Sequence, residues 1–241
     1  MDQRTPRPPK GELRRTLRRS VIEGTLYAGM VALGELWFVA DVVRLGGGAL
    51  EVVLVATLPL AMGSLGALAA LRHLGSDVRR RPLVVASVLG QAGVLALLSA
   101  LTLAGSVGAA GVIALACLYQ AFGQAAATGW SPWFGDLVPA AVRGRYFGRR
   151  TGWVHGATFG GLLVGGTVLH LLEPRAAVAA GAGGMGYALL FAAAAAFRVA
   201  SAALLHTAWE PARERPPSAE PYSAWLLGPH GRSARRLLPV A

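Results

Sequence analysis

Five polar side chains interrupt runs that are otherwise apolar and almost free of charge: Glu35, Gln91, Gln120, Gln124 and Arg198. An ionised group placed in hydrocarbon costs at least about 2.5–3.5 kcal/mol on insertion scales, so its presence there points to a task. Glu35, mid-run, has the chemistry to hold a solute, an ion or a proton. Arg198 has two readings. Its long side chain can snorkel to the membrane surface, or it can pair with Glu35 across a helical bundle. The glutamines can line a polar cavity or bond one helix to another. Glu23 and Asp41 sit near the ends of their run, where water is available, and read as structural. Trp37, Trp130 and Trp133 can stack a ligand or anchor helices at a membrane boundary.

Other chemistries lack their residues. The chain has one cysteine, Cys117, and five scattered histidines, so no metal centre is expected. Neither a Gly-x-Ser-Gly nucleophile site nor a His-Glu-x-x-His pair occurs, and the expectation is a protein without enzymatic activity or cofactor. The net charge of +11 raises nucleic acid as a partner. The arginines, however, flank apolar runs, and no nucleic-acid-binding pattern surrounds them, so none is expected.

The elements that must position the polar residues are six apolar runs, at 22–43, 50–71, 83–103, 109–130, 153–172 and 185–208. Each is long enough to cross a hydrocarbon core about 30 Å thick at about 1.5 Å per helical residue. The chain is 15% charged, against about 25% for soluble domains. The runs are apolar on all sides, which excludes barrel strands with their alternating faces. The fold class expected is all-α: a polytopic bundle of six transmembrane helices over 21–208, in a lipid bilayer. A basic segment, 1–20, precedes it and a tail, 209–241, follows.

Of the 23 Lys and Arg residues, twenty fall on one side of this layout. Seven precede the first run, Arg72 and Arg79 to Arg81 follow the second, Arg143, Arg145, Arg149 and Arg150 follow the fourth, and five lie in the tail. Positive connections stay in the cytoplasm, which places both termini there and the chain in the cell (inner) membrane. Leu13, Leu17 and Val21 recur every four residues among paired arginines, the pattern of a short amphipathic lead-in helix on an anionic leaflet. In the fifth run Gly152, Gly156 and Gly160 form one ladder and Gly161 and Gly165 a second, so that helix is expected to be buried on much of its circumference. Pro59, Gly63 and Gly66 predict a kink or flexible point in the second.

The connection at 130–150 carries the most information. Asp136, Pro139, Arg143, Gly144 and Gly148 have the spacing found between helices four and five of major facilitator superfamily transporters, and the chain resembles that family here. Glu23-Gly24, opening the first run, is similar too. In physical terms Pro139 can stop or start a helix, Gly144 and Gly148 permit close approach, and Arg143 can bond helix-end carbonyls or pair with Asp136. Elsewhere the chain departs from the family. The segment Gly75-Ser76-Asp77-Val78-Arg79 displaces the acid usual between helices two and three. Tyr119 and Gln120 stand where proton-coupled members carry an arginine, and the fifth run lacks the antiporters' Gly-Pro.

The resemblance spans about residues 20–210 and implies half of a twelve-helix fold, built as a 3+3 inverted repeat. It implies the N-terminal half of a secondary transporter that moves a small solute by alternating access, with 136–148 as a cytoplasmic gating loop. The expected partner is a second six-helix half or a second copy of this chain, and the tail resembles the linker before a seventh helix. The alternative is a non-transporting remnant or membrane assembly partner.

Overall fold

Each of the six apolar runs is helical in the computed structural model, which describes residues 10–74, 79–173 and 183–210. The first span consists of α1 (Lys10–Leu33), a 3-10 turn (Glu35–Trp37) and α2 (Phe38–Arg44). Next come α3 (Ala49–Leu74), α4 (Arg80–Leu103) and α5 (Ala109–Leu137). A second 3-10 turn, Ala140–Val142, leads into α6 (Arg143–Leu172), and α7 (Met185–His206) closes the bundle. The described residues contain no strand, and six helices are long and apolar enough to cross a membrane. The all-α, six-span architecture is thus the observed one.

The helices associate in a fixed series of neighbours. α3 lies on α5, α5 on α4, α4 on α7, α7 on α1, and α1 on α6. Two apolar clusters result. One, away from the arginine-rich end, is built around Met30, Phe38, Leu95, Leu98, Tyr119 and Phe191. The other, at the arginine-rich end, gathers Val84, Val88, Trp133, Phe134 and Leu205. Buried Glu23, Gln91, Arg198 and Ser201 form a polar layer within the same bundle.

Charged side chains finish the helix ends. The four leading N–H groups of a helix lack backbone partners, so a carboxylate there is favoured by hydrogen bonding and by the helix dipole. Glu210 accepts from the N–H groups of Arg80 and Arg81 at the start of α4 (2.5 and 3.3 Å). Glu173 accepts from Gly184 and Gly186 at the start of α7, at 2.9 and 2.7 Å. Gly184 is at φ 130°, where a side chain would be strained. The tail therefore begins docked, with Trp209 also accepting from the Trp133 indole at 3.1 Å. Its remainder, with the linker resemblance, lies outside the described residues, as do residues 1–9 and 75–78.

Several sequence expectations are corrected. The amphipathic lead-in is the first part of α1, continuous with the span, and Thr16 and Ser20 face inward. Pro59 lies inside α3, which is helical throughout, and Gly63 and Gly66 allow α5 to approach: a Cβ at Gly66 would meet the Ala121 backbone. Much of the 130–150 connection is helical, because α5 continues to Leu137. The α6 glycines divide. Gly161 packs on Ala32 and Gly165 on the Trp37 ring, whereas a Cβ at Gly152, Gly156 or Gly160 would meet nothing within 4 Å. Among the described residues only one flank of α6 is buried, since α1 is its one extensive neighbour there.

Candidate functional site

The site starts from a fault in a helix. At Gly34 the backbone leaves α-geometry; its N–H still reaches the Met30 carbonyl at 2.9 Å, and its own carbonyl accepts from Trp37 N–H at 3.0 Å. Glycine is required for space: a Cβ there would lie 2.9 Å from the Met30 carbonyl and 3.0 Å from the Ala194 methyl. The Trp37 indole donates to the Ala32 carbonyl at 2.8 Å, supplying a donor beside the break. Irregular backbone inside a membrane protein is tolerated where side chains satisfy the freed groups or a cavity adjoins it. Both conditions hold here.

Glu35 is the first residue of the 3-10 turn. It is half-buried and accepts from the Tyr119 hydroxyl of α5 at 2.9 Å. That hydroxyl also lies 2.8 Å from the Met30 sulfur.

Arg198 neither snorkels nor pairs with Glu35. It is 4% exposed, and it donates from Nε to the Gln91 amide oxygen at 2.8 Å and from Nη1 to the Ser201 hydroxyl at 3.4 Å. Its guanidinium also lies 5.2 Å from the centre of the Tyr27 ring. Ser201 passes the chain on, donating to Glu23 Oε1 at 3.0 Å. Glu23 Oε2 accepts from Arg150 Nη2 at 3.0 Å, and Arg150 rests 4.4 Å from the Trp130 ring centre. Residues of α4, α7, α1 and α6 are joined in one buried network. Gly24 leaves the room Arg150 occupies, since a Cβ there would lie 2.9 Å from the guanidinium.

These groups surround a cavity of about 290 Å³. Glu35, Gln91, Gln120, Gln124 and Arg198 all line it, so the structure brings together every membrane-depth residue singled out from sequence. Glu23, Tyr27, Trp130 and Arg150 line it too, against an apolar wall of Val84, Val88, Ala126 and Leu205. Of the tryptophans considered as ligand platforms only Trp130 reaches it; Trp133 is buried in the core and Trp37 packs on α6.

The chain matches no family model, no curated protein and no solved structure.

The loop residues form a separate cluster at the arginine-rich end. Arg143 donates to the Gly135 and Val138 carbonyls at 2.8 and 3.3 Å, capping the end of α5. Asp136 pairs with Arg80 of α4 at 2.6 Å rather than with Arg143. Pro139 stands between the helices, before the second 3-10 turn. Gly144 and Gly148 make no close approach, as a Cβ on either would meet nothing within 4 Å.

Glu23, Arg150, Ser201 and Tyr119 were not legible as site residues. Arg150 reads in sequence as one more topogenic arginine, and Glu23 as a solvated helix-end acid. A signal existed: Thr16, Ser20, Glu23 and Tyr27 recur at steps of four, three and four, a polar stripe along one helix face.

Proposed function

We propose that this chain is the N-terminal six-helix half of a major facilitator superfamily-type secondary transporter, moving a small solute by alternating access together with a second half. The observation that carries this reading is the pattern of helix neighbours. Exchange the first three spans for the last three, and α3 on α5 becomes α6 on α1, while α4 on α5 becomes α7 on α1. The contact of α4 with α7 maps onto itself. That correspondence is what a 3+3 inverted repeat requires. Support also comes from the charged cavity beside a broken helix, an arrangement suited to binding at the membrane midplane. The open flanks of α3 and α6 offer faces for a second half. The arginine distribution supports a cell (inner) membrane location with both termini cytoplasmic.

The test uses a single cysteine in place of Gln124, with Cys117 replaced by serine. Membrane-impermeant maleimide is applied to sealed right-side-out and inverted native vesicles. Alternating access gives labelling from both faces, with solute shifting the ratio. Labelling confined to one face under all conditions would instead support a static assembly partner.

A further inference from the structure

Resting on the transporter reading, we infer that the cavity binds a small zwitterion with an apolar substituent, of the amino-acid kind, its carboxylate on Arg198 and its ammonium on Glu35. The cavity is lined by four ionisable groups of full charge, and two of them are already satisfied. Glu23 and Arg150 pair at 3.0 Å, and the second Glu23 oxygen takes the Ser201 hydroxyl. The other two have no ion-pair partner within 4 Å among the described residues.

Arg198 has five N–H bonds and donates two, both to uncharged groups. Glu35 accepts one bond, from an uncharged phenol, and its Oε1 accepts none among the described residues. Gln91 and Ser201 hold the cation in place, and Tyr119 holds the anion, so the two do not collapse onto each other. A buried charge that lacks a direct counter-charge recovers only part of its desolvation cost from more distant ones, and here two of opposite sign face one space. A solute bearing both charges compensates both at once. A simple acid or amine compensates one and leaves the other exposed to the same penalty. Bidentate geometry favours a carboxylate at the guanidinium. Val84, Val88, Ala126 and Leu205 supply a wall for an apolar side chain.

The experiment is isothermal titration of the purified full chain in detergent with three probes of matched shape. L-leucine carries both charges, 4-methylpentanoate lacks the ammonium, and 3-methylbutylamine lacks the carboxylate. We expect leucine to bind at least ~10-fold more tightly than either, a gap of about 1.4 kcal/mol. Arg198→Gln should abolish the preference over the amine, and Glu35→Gln the preference over the acid. Equal affinities for the three probes, no detectable leucine binding, or a preference surviving both substitutions would overturn the inference. The comparison on the unsubstituted chain decides the matter even where a variant fails to fold. If leucine fails while Gln124 labelling still alternates between faces, the transporter reading stands without this substrate class. If leucine binds but labelling stays on one face, the site stands and the transporter reading falls.

Discussion

Arg150 of α6 and Glu23 of α1 meet at 3.0 Å with 15% and 5% of their side chains exposed, forming the one ion pair between these two helices among the described residues. Among the described residues α1 is the one extensive neighbour of α6, and around the pair Arg150 Nε also donates to the Ser20 carbonyl at 3.3 Å and the Tyr146 hydroxyl to the Leu17 carbonyl at 3.4 Å. The attachment of α6 therefore combines Glu23–Arg150, these two side-chain-to-backbone bonds and the seating of Gly161 and Gly165 against the first span.

Removing one member of that pair leaves the other charge largely buried without its direct partner. Glu23→Gln or Arg150→Met alone is expected to cost roughly 3–5 kcal/mol, and the double substitution markedly less than the sum. Denaturant titration in detergent, followed by tryptophan fluorescence, measures all four corners of the cycle. Additive losses would mean that the pair contributes nothing as a pair.

The glycines of α6 give opposite expectations on its two flanks. A side chain at Gly161 would strike the Ala32 methyl, 2.6 Å from the position of its Cβ, so Gly161→Leu should lower the melting temperature strongly. Gly156 faces open space, and Gly156→Leu should leave the isolated chain's melting temperature within about 2 °C, as a surface change within ±0.5 kcal/mol would. Similar melting curves for the two variants would contradict the assignment of buried and open flanks.

Helix number and the polar candidates were readable because both follow from solvation: apolar runs of sufficient length, and the rarity of ionisable groups within them. All five membrane-depth residues line one cavity for that reason. The break at Gly34 was not readable, since one acid in an otherwise apolar run does not announce a change of backbone and only the fit of Gly34 against Ala194 and Leu95 reveals why the chain turns there. Partners were harder still. Arg143, Asp136 and Arg80 are close in space, but spacing alone left open which would pair, and Arg143 chose carbonyls. Glycine ladders announce that a helix can be approached closely, not which flank is approached. This is why Gly152, Gly156 and Gly160 were misjudged.

At the opposite end, Glu173 acts as a carboxylate cap for α7 by accepting from Gly184 and Gly186. Glu173→Ala is expected to cost about 1 kcal/mol, in the range of lost helix caps and dipole contacts. The loss should be local. Hydrogen exchange should accelerate at the amides of residues 184–188 while those of α4 keep their protection. Unchanged exchange there would show that water replaces the carboxylate without cost.

The break in the first span makes the last and most discriminating case. Trp37 packs its ring on Gly165 and donates its indole N–H to the Ala32 carbonyl at 2.8 Å. Trp37→Phe keeps an aromatic ring but removes the donor, leaving a backbone acceptor unpaired in apolar surroundings at a cost of about 1–3 kcal/mol. The acceptor can regain a partner if the chain rewinds into continuous α-helix, which would carry Glu35 away from Tyr119. Tyr119→Phe provides the control, because it removes the hydroxyl bonded to Glu35 yet leaves the break's own bonds intact. We expect Trp37→Phe to change amide exchange at residues 35–38, and Tyr119→Phe to leave those amides as they were. If neither substitution moves them, the break is held by Gly34 packed against Ala194 and Leu95, and the indole bond is incidental to it.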